Sequence, residues 1–260
     1  MKQLPLNEIS DYIRANLHLN PTPAEIAGHF GISRFALSRR FRAETGLSLR
    51  EYLAALKIEQ SIANLIAGGS IIDAQLDAGH ASAGTFSRLF RYHTGLSPRD
   101  YRNRSGEFAR ALEGELADRN RRAIAYRRFE PPACRLAHPI TLNISGQSPH
   151  GVVFVGLFAE PVPRNTPVQG WAVFSGGRVV ITEMPAGEYY LLACEIVPST
   201  NPLDYFHLDH CLRAKFAEPL VFPPERALTH RITLRPLQAG DPPITLNLPK
   251  LLFDVVGGSW

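Results

Sequence analysis

The chain has 260 residues, of which 45% are hydrophobic, and a formal net charge of +4 at pH 7. This length suits one large domain or two ordinary ones, and the apolar content suits a soluble protein with substantial cores. The first residues, MKQLPLNEIS, lack the apolar region of a signal peptide, and no stretch approaches eighteen consecutive apolar residues. We therefore expect a cytoplasmic protein with no membrane partner.

The positive charge is concentrated in the first half of the chain. Residues 1–130 contain 19 Lys and Arg against 14 Asp and Glu, a net charge of +5, whereas residues 131–260 contain 9 against 10. Of those 19 cations, 17 are Arg, whose guanidinium group can hydrogen-bond a phosphate or a guanine through two N–H groups at once. The first half is therefore the better candidate for nucleic-acid binding.

From Leu6 to about Phe129, apolar residues recur at helical spacing. Ser33 and Ser82 stand where helix N-caps are expected, and Asn20-Pro21-Thr22-Pro23 is typical of a helix start. The stretch Arg104–Arg128 is rich in Ala, Arg and Glu and lacks Pro, which indicates a connector helix. We therefore expect a helical domain over residues 1–104 and a connector helix over 105–130.

After Glu130, short β-branched and aromatic runs alternate with Gly and Pro clusters. A short amphipathic helix is expected near Asp204–Phe216. The pattern predicts an all-β sandwich or an α+β domain over residues 131–260. Strands are expected at Ile140–Ile144, Val152–Phe158, Arg178–Glu183, Tyr189–Ile196, His230–Leu234 and Ile244–Leu248.

The helical half contains an internal repeat. Ala36–Tyr52 reads ALSRRFRAETGLSLREY and Thr85–Tyr101 reads TFSRLFRYHTGLSPRDY, with ten identities in seventeen positions. Only two copies occur, which excludes a solenoid.

Each copy indicates a helix-turn-helix, in which a short helix and a Gly turn precede a recognition helix. In the first unit, Ala24–Ile32 supplies the helix and Gly31 the turn. In the second, Asp73–Ala78 and Gly79 have these roles. Glu51–Ala67 is predicted to be a linking helix of roughly 25 Å, which could hold two recognition helices about one turn of B-DNA apart, roughly 34 Å. The predicted outward-facing residues are Arg34, Phe35, Ser38, Arg39 and Arg42 in the first unit, and Thr85, Ser87, Arg88 and Arg91 in the second.

Leu6–Arg102, above all Phe86–Arg91 followed by Thr94–Arg102, resembles the DNA-binding domain of the AraC/XylS family of bacterial regulators. The resemblance implies a seven-helix, homeodomain-like all-α domain in a multidomain regulator, contact with RNA polymerase, and transcriptional activation. Double-stranded DNA is the expected ligand. The family's base-contacting positions fall on Phe35, Ser38 and Arg39 in the first unit, and on Ala83, Gly84, Thr85, Ser87 and Arg88 in the second.

The second unit departs from the family pattern at two positions. Gln75 replaces a small apolar residue, and His80 stands where the family has Phe. Ala83 and Gly84 also offer no side chain that could hydrogen-bond a base. We therefore expect the first unit to carry more of the sequence specificity, and the second to rely on phosphate contacts and DNA shape.

The second half gives a shorter resemblance. Met184–Ala193, MPAGEYYLLA, is similar to the Pro-x-Gly-x-Tyr corner of prealbumin-like β-sandwiches, with Gly187 turning the chain and Tyr189 closing one end. A GyrI-like α+β effector domain is the alternative. Either domain would sense a small-molecule effector or contact a protein, and the sequence identifies no ligand site.

The candidates for chemistry in the second half are weak. Asp204, His207, Asp209 and His210 form no HExxH or other metal-ligand pattern, and no GxSxG, P-loop or GxGxxG motif occurs. The three cysteines, Cys134, Cys194 and Cys211, are widely spaced, which argues against a disulfide framework and a zinc ribbon. We interpret them as small buried hydrophobic residues rather than redox sensors.

The sequence therefore predicts a sequence-specific DNA-binding regulator, not an enzyme, with no metal and no cofactor. A C-terminal β domain is expected to modulate it. Two alternatives stay open. One is a DNA reader fused to an enzymatic or carbohydrate-handling β domain, and the other is a DNA-repair or nucleoid fusion that uses a nucleophilic Cys.

Overall fold

The computed structural model describes residues 6–80, 82–118, 123–128, 134–174 and 177–257. These residues form two compact units. The first unit contains the chain up to Asn103 together with the returning segment Gln238–Leu246, and the second contains Arg104–Leu237 and the chain from Asn247 onward. Within the described ranges, no helix is long and apolar enough to span a membrane.

The first unit is helical, as the sequence predicts. Its described residues form one 3₁₀ turn, Leu17–Leu19, and seven α-helices, the last of which continues into the second unit. The α-helices are α1 (Leu6–Ala15), α2 (Pro23–His29), α3 (Arg34–Thr45), α4 (Leu49–Ile66), α5 (Ile71–Asp77), α6 (Ala83–Thr94) and α7 (Pro98–Ala117).

Six of these helices begin at a Ser or Thr whose side chain accepts a hydrogen bond from a backbone N–H of the first turn. Thr22, Ser48 and Ser70 do so in complete capping boxes, each with an acidic residue three positions later. Ser33 and Ser82 cap α3 and α6, so the two N-caps expected from the sequence are confirmed. Ser97, before α7, accepts the Asp100 N–H at 3.1 Å. These caps satisfy N–H groups that the first turn of a helix otherwise leaves unpaired.

The two copies of the internal repeat form the same side-chain hydrogen bonds in the interior of this unit. The Thr45 hydroxyl donates to the Phe41 carbonyl at 2.7 Å, and the Thr94 hydroxyl donates to the Phe90 carbonyl at 2.9 Å. Each hydroxyl also accepts a backbone N–H two residues later. A threonine at the equivalent position therefore ends both α3 and α6 with the same set of hydrogen bonds.

A pair of aromatic rings is repeated in the same manner. The Phe41 and Tyr52 rings have centroids 5.2 Å apart, and the Phe90 and Tyr101 rings have centroids 5.4 Å apart. All four side chains are buried, and burial raises the pKa of Tyr101 above its ordinary value. Four of the ten identities between the two copies therefore lie in the interior, at Phe41, Thr45, Leu47 and Tyr52 and their equivalents in the second copy.

The second unit is mainly β, which confirms the fold class expected for it. Six strands form one sheet in the order β1-β4-β3-β6-β7 with β8 also paired to β6, and three strands form another in the order β5-β2-β9. The pairings are antiparallel except for β2 with β9, which is parallel. The strands are β1 (Ala123–Arg127), β2 (Cys134–Ser145), β3 (Val152–Phe158), β4 (Gln169–Val173), β5 (Arg178–Met184), β6 (Gly187–Ile196), β7 (Arg213–Lys215), β8 (Leu220–Phe222) and β9 (Leu228–Thr233).

One hydrophobic cluster joins the two sheets. It combines Ile140 and Leu142 of β2 with Val153 and Val155 of β3, and it includes Tyr189. Two sheets that share inward-facing side chains in this way form a sandwich.

The predicted connector helix is wrong over its last part. α7 ends at Ala117, and residues 123–127 form β1, which pairs with β4 from Ala123 opposite Val173 to Arg127 opposite Gln169. Residues 119–122 and 129–130 of the predicted segment lie outside the described ranges. Pairing with a buried strand has overridden the helical propensity of this Ala- and Arg-rich sequence.

Two further predicted elements are wrong. The helix expected at Asp204–Phe216 is instead a 3₁₀ turn, Pro202–Phe206, followed by β7. The strand expected at Ile244–Leu248 is not formed, and a helix, α8 (Leu248–Gly257), begins where that strand was expected to end. Phe253 of α8 packs on Phe108 of α7 with ring centroids 5.3 Å apart.

Candidate nucleic-acid interface

Helix pairs α2–α3 and α5–α6 are the two helix-turn-helix units. The turn in each pair contains a glycine with positive φ, +62° at Gly31 and +68° at Gly79. Side chains other than Gly rarely adopt this conformation. α3 and α6 therefore occupy equivalent positions in the two units.

The residues of α3 form one buried face and one exposed face. Leu37 and Phe41 are completely buried, so the opposite face of the helix points to solvent. Phe35 is 72% exposed, and the Arg34 guanidinium carbon lies 4.7 Å from its ring centroid. All five predicted contact residues on this helix are exposed: Arg34, Phe35, Ser38, Arg39 and Arg42.

On α6, Phe86 and Phe90 are completely buried and fix the helix in the same orientation relative to its own unit. Ser87 is half-buried. The other predicted contact residues on this helix are exposed: Ala83, Gly84, Thr85, Arg88 and Arg91. The exposed face of α6 therefore carries two arginines against three on α3, and it begins with two residues that offer no polar side-chain atom.

The returning segment, Gln238–Leu246, is a part of the first unit that the sequence did not reveal. Thr245 is completely buried, and its hydroxyl lies 3.0 Å from Nδ1 of His93, a buried residue of α6. At the other end of the segment, a Cβ on Gly240 would lie 2.7 Å from Cγ2 of Thr45, the last residue of α3. This segment therefore contacts the carboxyl ends of α3 and α6.

His80, a departure from the family pattern, lies in the turn between α5 and α6. Its carbonyl accepts a hydrogen bond from Nε2 of Gln75, the other departure, at 2.9 Å. Its ring packs on Phe86 at 5.8 Å between centroids, and its buried Nε2 atom has no hydrogen-bond partner. Burial, followed by the charge of Lys57, lowers the pKa of His80.

A His80→Phe substitution should stabilise the protein, and more so at acidic pH. At pH 7, removal of the unpaired Nε2 should raise the free energy of unfolding by about 1 kcal/mol. Because the pKa of His80 is lowered in the folded state, the unfolded chain binds a proton first as the pH falls below the ordinary histidine pKa, and the native protein loses stability there. Urea unfolding at pH 7 and pH 5 measures both effects.

His18, an exposed residue of the 3₁₀ turn, supplies the control. His18→Gln should leave the free energy of unfolding at pH 7 within about 0.5 kcal/mol of wild type. An equal gain for His80→Phe at both pH values would contradict the role given to its proton.

The structure does not bring the candidate metal ligands together in one site. His210 is 92% exposed at its side chain and lies 3.4 Å from its neighbour Asp209. Among the described residues, no group of three or more His, Cys, Asp or Glu side chains could hold a metal ion.

Comparison with known proteins agrees with this geometry. Residues 26–104 match a helix-turn-helix domain family. The regulatory protein SoxS of Salmonella typhimurium is 35% identical over 80 residues, which cover 30% of this chain and 75% of SoxS. An uncharacterized HTH-type transcriptional regulator of Staphylococcus aureus is 30% identical over 98 residues, 37% of this chain, and these residues span only 13% of the length of that relative.

A crystal structure of a DNA-binding transcriptional dual regulator from Escherichia coli covers 41% of this chain and 97% of its own, with 24% identity and a TM-score of 0.37. The domain match and the relation to SoxS define the class of protein as a helix-turn-helix transcription regulator. The chain belongs to the AraC-type family of these regulators.

Proposed function

We propose that this regulator binds double-stranded DNA sequence-specifically by inserting α3 and α6 into adjacent major-groove segments. The observation that carries the proposal is the duplication itself: two equivalent helices in one chain each bury one face and expose an arginine-bearing face. A major groove admits one α-helix, and two recognition helices one helical turn apart match successive groove segments. A single chain would then read a site without forming a dimer.

The two helices would contribute differently. On α3, Arg39 can donate two hydrogen bonds to guanine and the exposed ring of Phe35 can contact a thymine methyl group. On α6, Arg88 and Arg91 can contact phosphates, whereas Ala83 can offer only apolar contact. Specificity would therefore come mainly from α3, and α6 would add affinity and fix the register of the protein on the duplex.

We further propose that the β unit modulates DNA binding through the returning segment. Residues 238–246 pack in the helical unit, but the chain on both sides of them, ending at Leu237 and resuming at Asn247, belongs to the β unit. A small-molecule or protein effector that shifts these two points would act on the contacts at Thr45 and His93. RNA polymerase is the partner that membership of this family suggests for an activator in the cytoplasm.

Selection from a random-sequence DNA library with the full-length protein tests the proposal. At physiological salt, we expect an enriched site with two short elements about one helical turn apart, roughly 10 base pairs. Absence of any enriched sequence with folded protein would contradict sequence-specific binding by this chain.

Salt dependence gives a second expected result for the selected site. Because arginine contacts to phosphates release counterions, the logarithm of the binding constant should fall steeply and linearly with the logarithm of salt concentration. Fluorescence anisotropy over a salt series measures this slope. A flat response would rule out the phosphate contacts proposed for α3 and α6.

A further inference from the structure

Cys194 and Cys211 are far apart in sequence but adjacent in the β unit. Cys194 lies on β6 and is 4% exposed, whereas Cys211 lies just before β7 and is half-buried. The two thiols are close enough for each to shift the pKa of the other. The wide spacing of these residues hid this pair from the sequence analysis.

The sheet register accounts for the pairing. Cys194 lies opposite Arg213 in the antiparallel β6–β7 pair, and the Glu195 N–H donates to the Leu212 carbonyl at 2.8 Å, one step farther along. Cys211 precedes Arg213 by two residues. Since the Glu195–Leu212 hydrogen bond continues the pairing beyond β7, the register brings Cys211 close to Cys194.

The surroundings make the two sulfurs chemically different. Nη2 of Arg213, a residue only 4% exposed, lies 3.5 Å from Sγ of Cys211. The hydrogen bond from the Cys194 thiol, with further help from the Arg213 charge, lowers the pKa of Cys211, although burial and Asp209 oppose the shift. The same thiol–thiol hydrogen bond, together with burial, raises the pKa of Cys194.

The resting state of Cys211 is a thiol that is ready to ionise. Its S–H group donates to the Leu208 carbonyl at 2.9 Å, and the Arg213 guanidinium donates to the same oxygen. On loss of the proton, the guanidinium and the Cys194 thiol remain as donors to the sulfur. A partly exposed thiolate beside a cation, with a second thiol in contact, has the features of an oxidisable cysteine pair.

We propose that Cys194 and Cys211 form a redox site that hydroperoxides oxidise to a disulfide. The Cys211 thiolate attacks the peroxide oxygen, the O–O bond breaks, and a sulfenic acid forms while the leaving oxygen takes a proton as water or an alcohol. The Cys194 sulfur then attacks the Cys211 sulfur, the S–O bond breaks, and water leaves with the Cys194 proton. Overall, two thiols lose two electrons and two protons, and the peroxide is reduced.

The site connects to the returning segment through Arg213. The backbone of Arg213 exchanges two hydrogen bonds with Arg235, at 2.8 and 3.0 Å. Arg235 precedes Gln238, the first residue of the returning segment, by three positions. A disulfide removes the sulfur partner of the Arg213 guanidinium at this point, so oxidation should change DNA affinity; this consequence, unlike the redox site itself, rests on the proposed function.

The test treats the folded full-length protein with hydrogen peroxide and maps disulfides by alkylation and peptide mass spectrometry. The variants are Cys194→Ser, Cys211→Ser and, as the matched control that keeps the pair, Cys134→Ser. Wild type and the control should form the Cys194–Cys211 disulfide within one molecule, reversibly with dithiothreitol. Cys211→Ser should slow thiol loss about tenfold or more, and Cys194→Ser should stop at a sulfenic acid that dimedone traps.

Failure of wild type and Cys134→Ser to form this disulfide would overturn the redox site, whether or not the serine variants fold. Peroxide-induced disulfides that include Cys134 in place of Cys211 would also overturn it. DNA affinity is measured separately on the oxidised and reduced protein. If the disulfide forms and DNA affinity does not change, only the proposed connection to DNA binding is wrong. If the reduced protein shows no specific DNA binding, the proposed function is wrong, whereas the redox site is unaffected.

Discussion

Replacing Arg39 with alanine should weaken binding to the selected DNA site by about 1–3 kcal/mol, roughly tenfold to a hundredfold. Arg39 is exposed on the outer face of α3, where Leu37 and Phe41 hold the helix from beneath. The loss of sequence discrimination should be confined to one base position, because a guanidinium that pairs with guanine discriminates against the other bases there. Anisotropy titrations on the selected site and on single-base variants measure it.

Arg88, which stands at the equivalent position of α6, is the comparison. Arg88→Ala should weaken binding to the selected and to scrambled sequences by similar factors, because we expect its contact to be with phosphate. Arg110, exposed on α7, is the control and should have no effect when replaced by alanine. A larger loss of sequence discrimination from Arg88→Ala than from Arg39→Ala would reverse the assignment of the two units.

Gly240→Ala should destabilise the protein by about 2–5 kcal/mol. The φ of Gly240 is +79°, a conformation that costs a residue with a Cβ about 1–2 kcal/mol. The new methyl group would also lie 2.7 Å from Cγ2 of Thr45, and relief of such overlap in a packed site costs about 1–3 kcal/mol. Urea unfolding monitored by circular dichroism measures the change.

The same variant tests what the returning segment does for DNA binding. If the segment holds the ends of α3 and α6, wild type should prefer one spacing of the two DNA elements sharply, and Gly240→Ala should tolerate altered spacings. Gly114→Ala is the matched control, since no described atom lies within 4 Å of a Cβ built there. Gly114→Ala should not change the spacing preference and should not destabilise the protein. It can raise the free energy of unfolding by up to about 1 kcal/mol through helix propensity. An unchanged spacing preference in a destabilised Gly240→Ala protein would leave the segment with a purely structural role.

The helical unit was predictable because its sequence signals are local and occur twice. Ser33 and Ser82 cap helices through their own backbone neighbours, and Gly31 and Gly79 make turns that other residues resist. The exposed faces of α3 and α6 followed from helical periodicity alone. Contact of these faces with DNA stays a prediction.

The errors come from contacts between residues distant in sequence. Ala123–Arg127 has a helical composition, and only its pairing with β4 makes it a strand. Ile244–Leu248 alternates like a strand, but Thr245 meets His93 across most of the chain. Periodicity reports which face of a segment is apolar and carries no information on the partner that covers it.

The pair of cysteines was missed for a related reason. Sequence spacing reveals thiol pairs when a short turn joins them, as in CxxC motifs. Cys194 and Cys211 meet because β6 and β7 are antiparallel neighbours in a particular register, and a register shift of one residue would have turned their side chains to opposite faces.

The order in which the chain is synthesised gives the returning segment one more consequence. Gln238–Leu246 belongs to a unit whose other residues end at Asn103, so a ribosome must add residues 104–237, the larger part of the β unit, before the helical unit has all of its parts. Contacts with such large sequence separation form late. The nascent helical unit would therefore emerge with the ends of α3 and α6 uncovered, and a chain that stops before residue 238 would remain in that immature state.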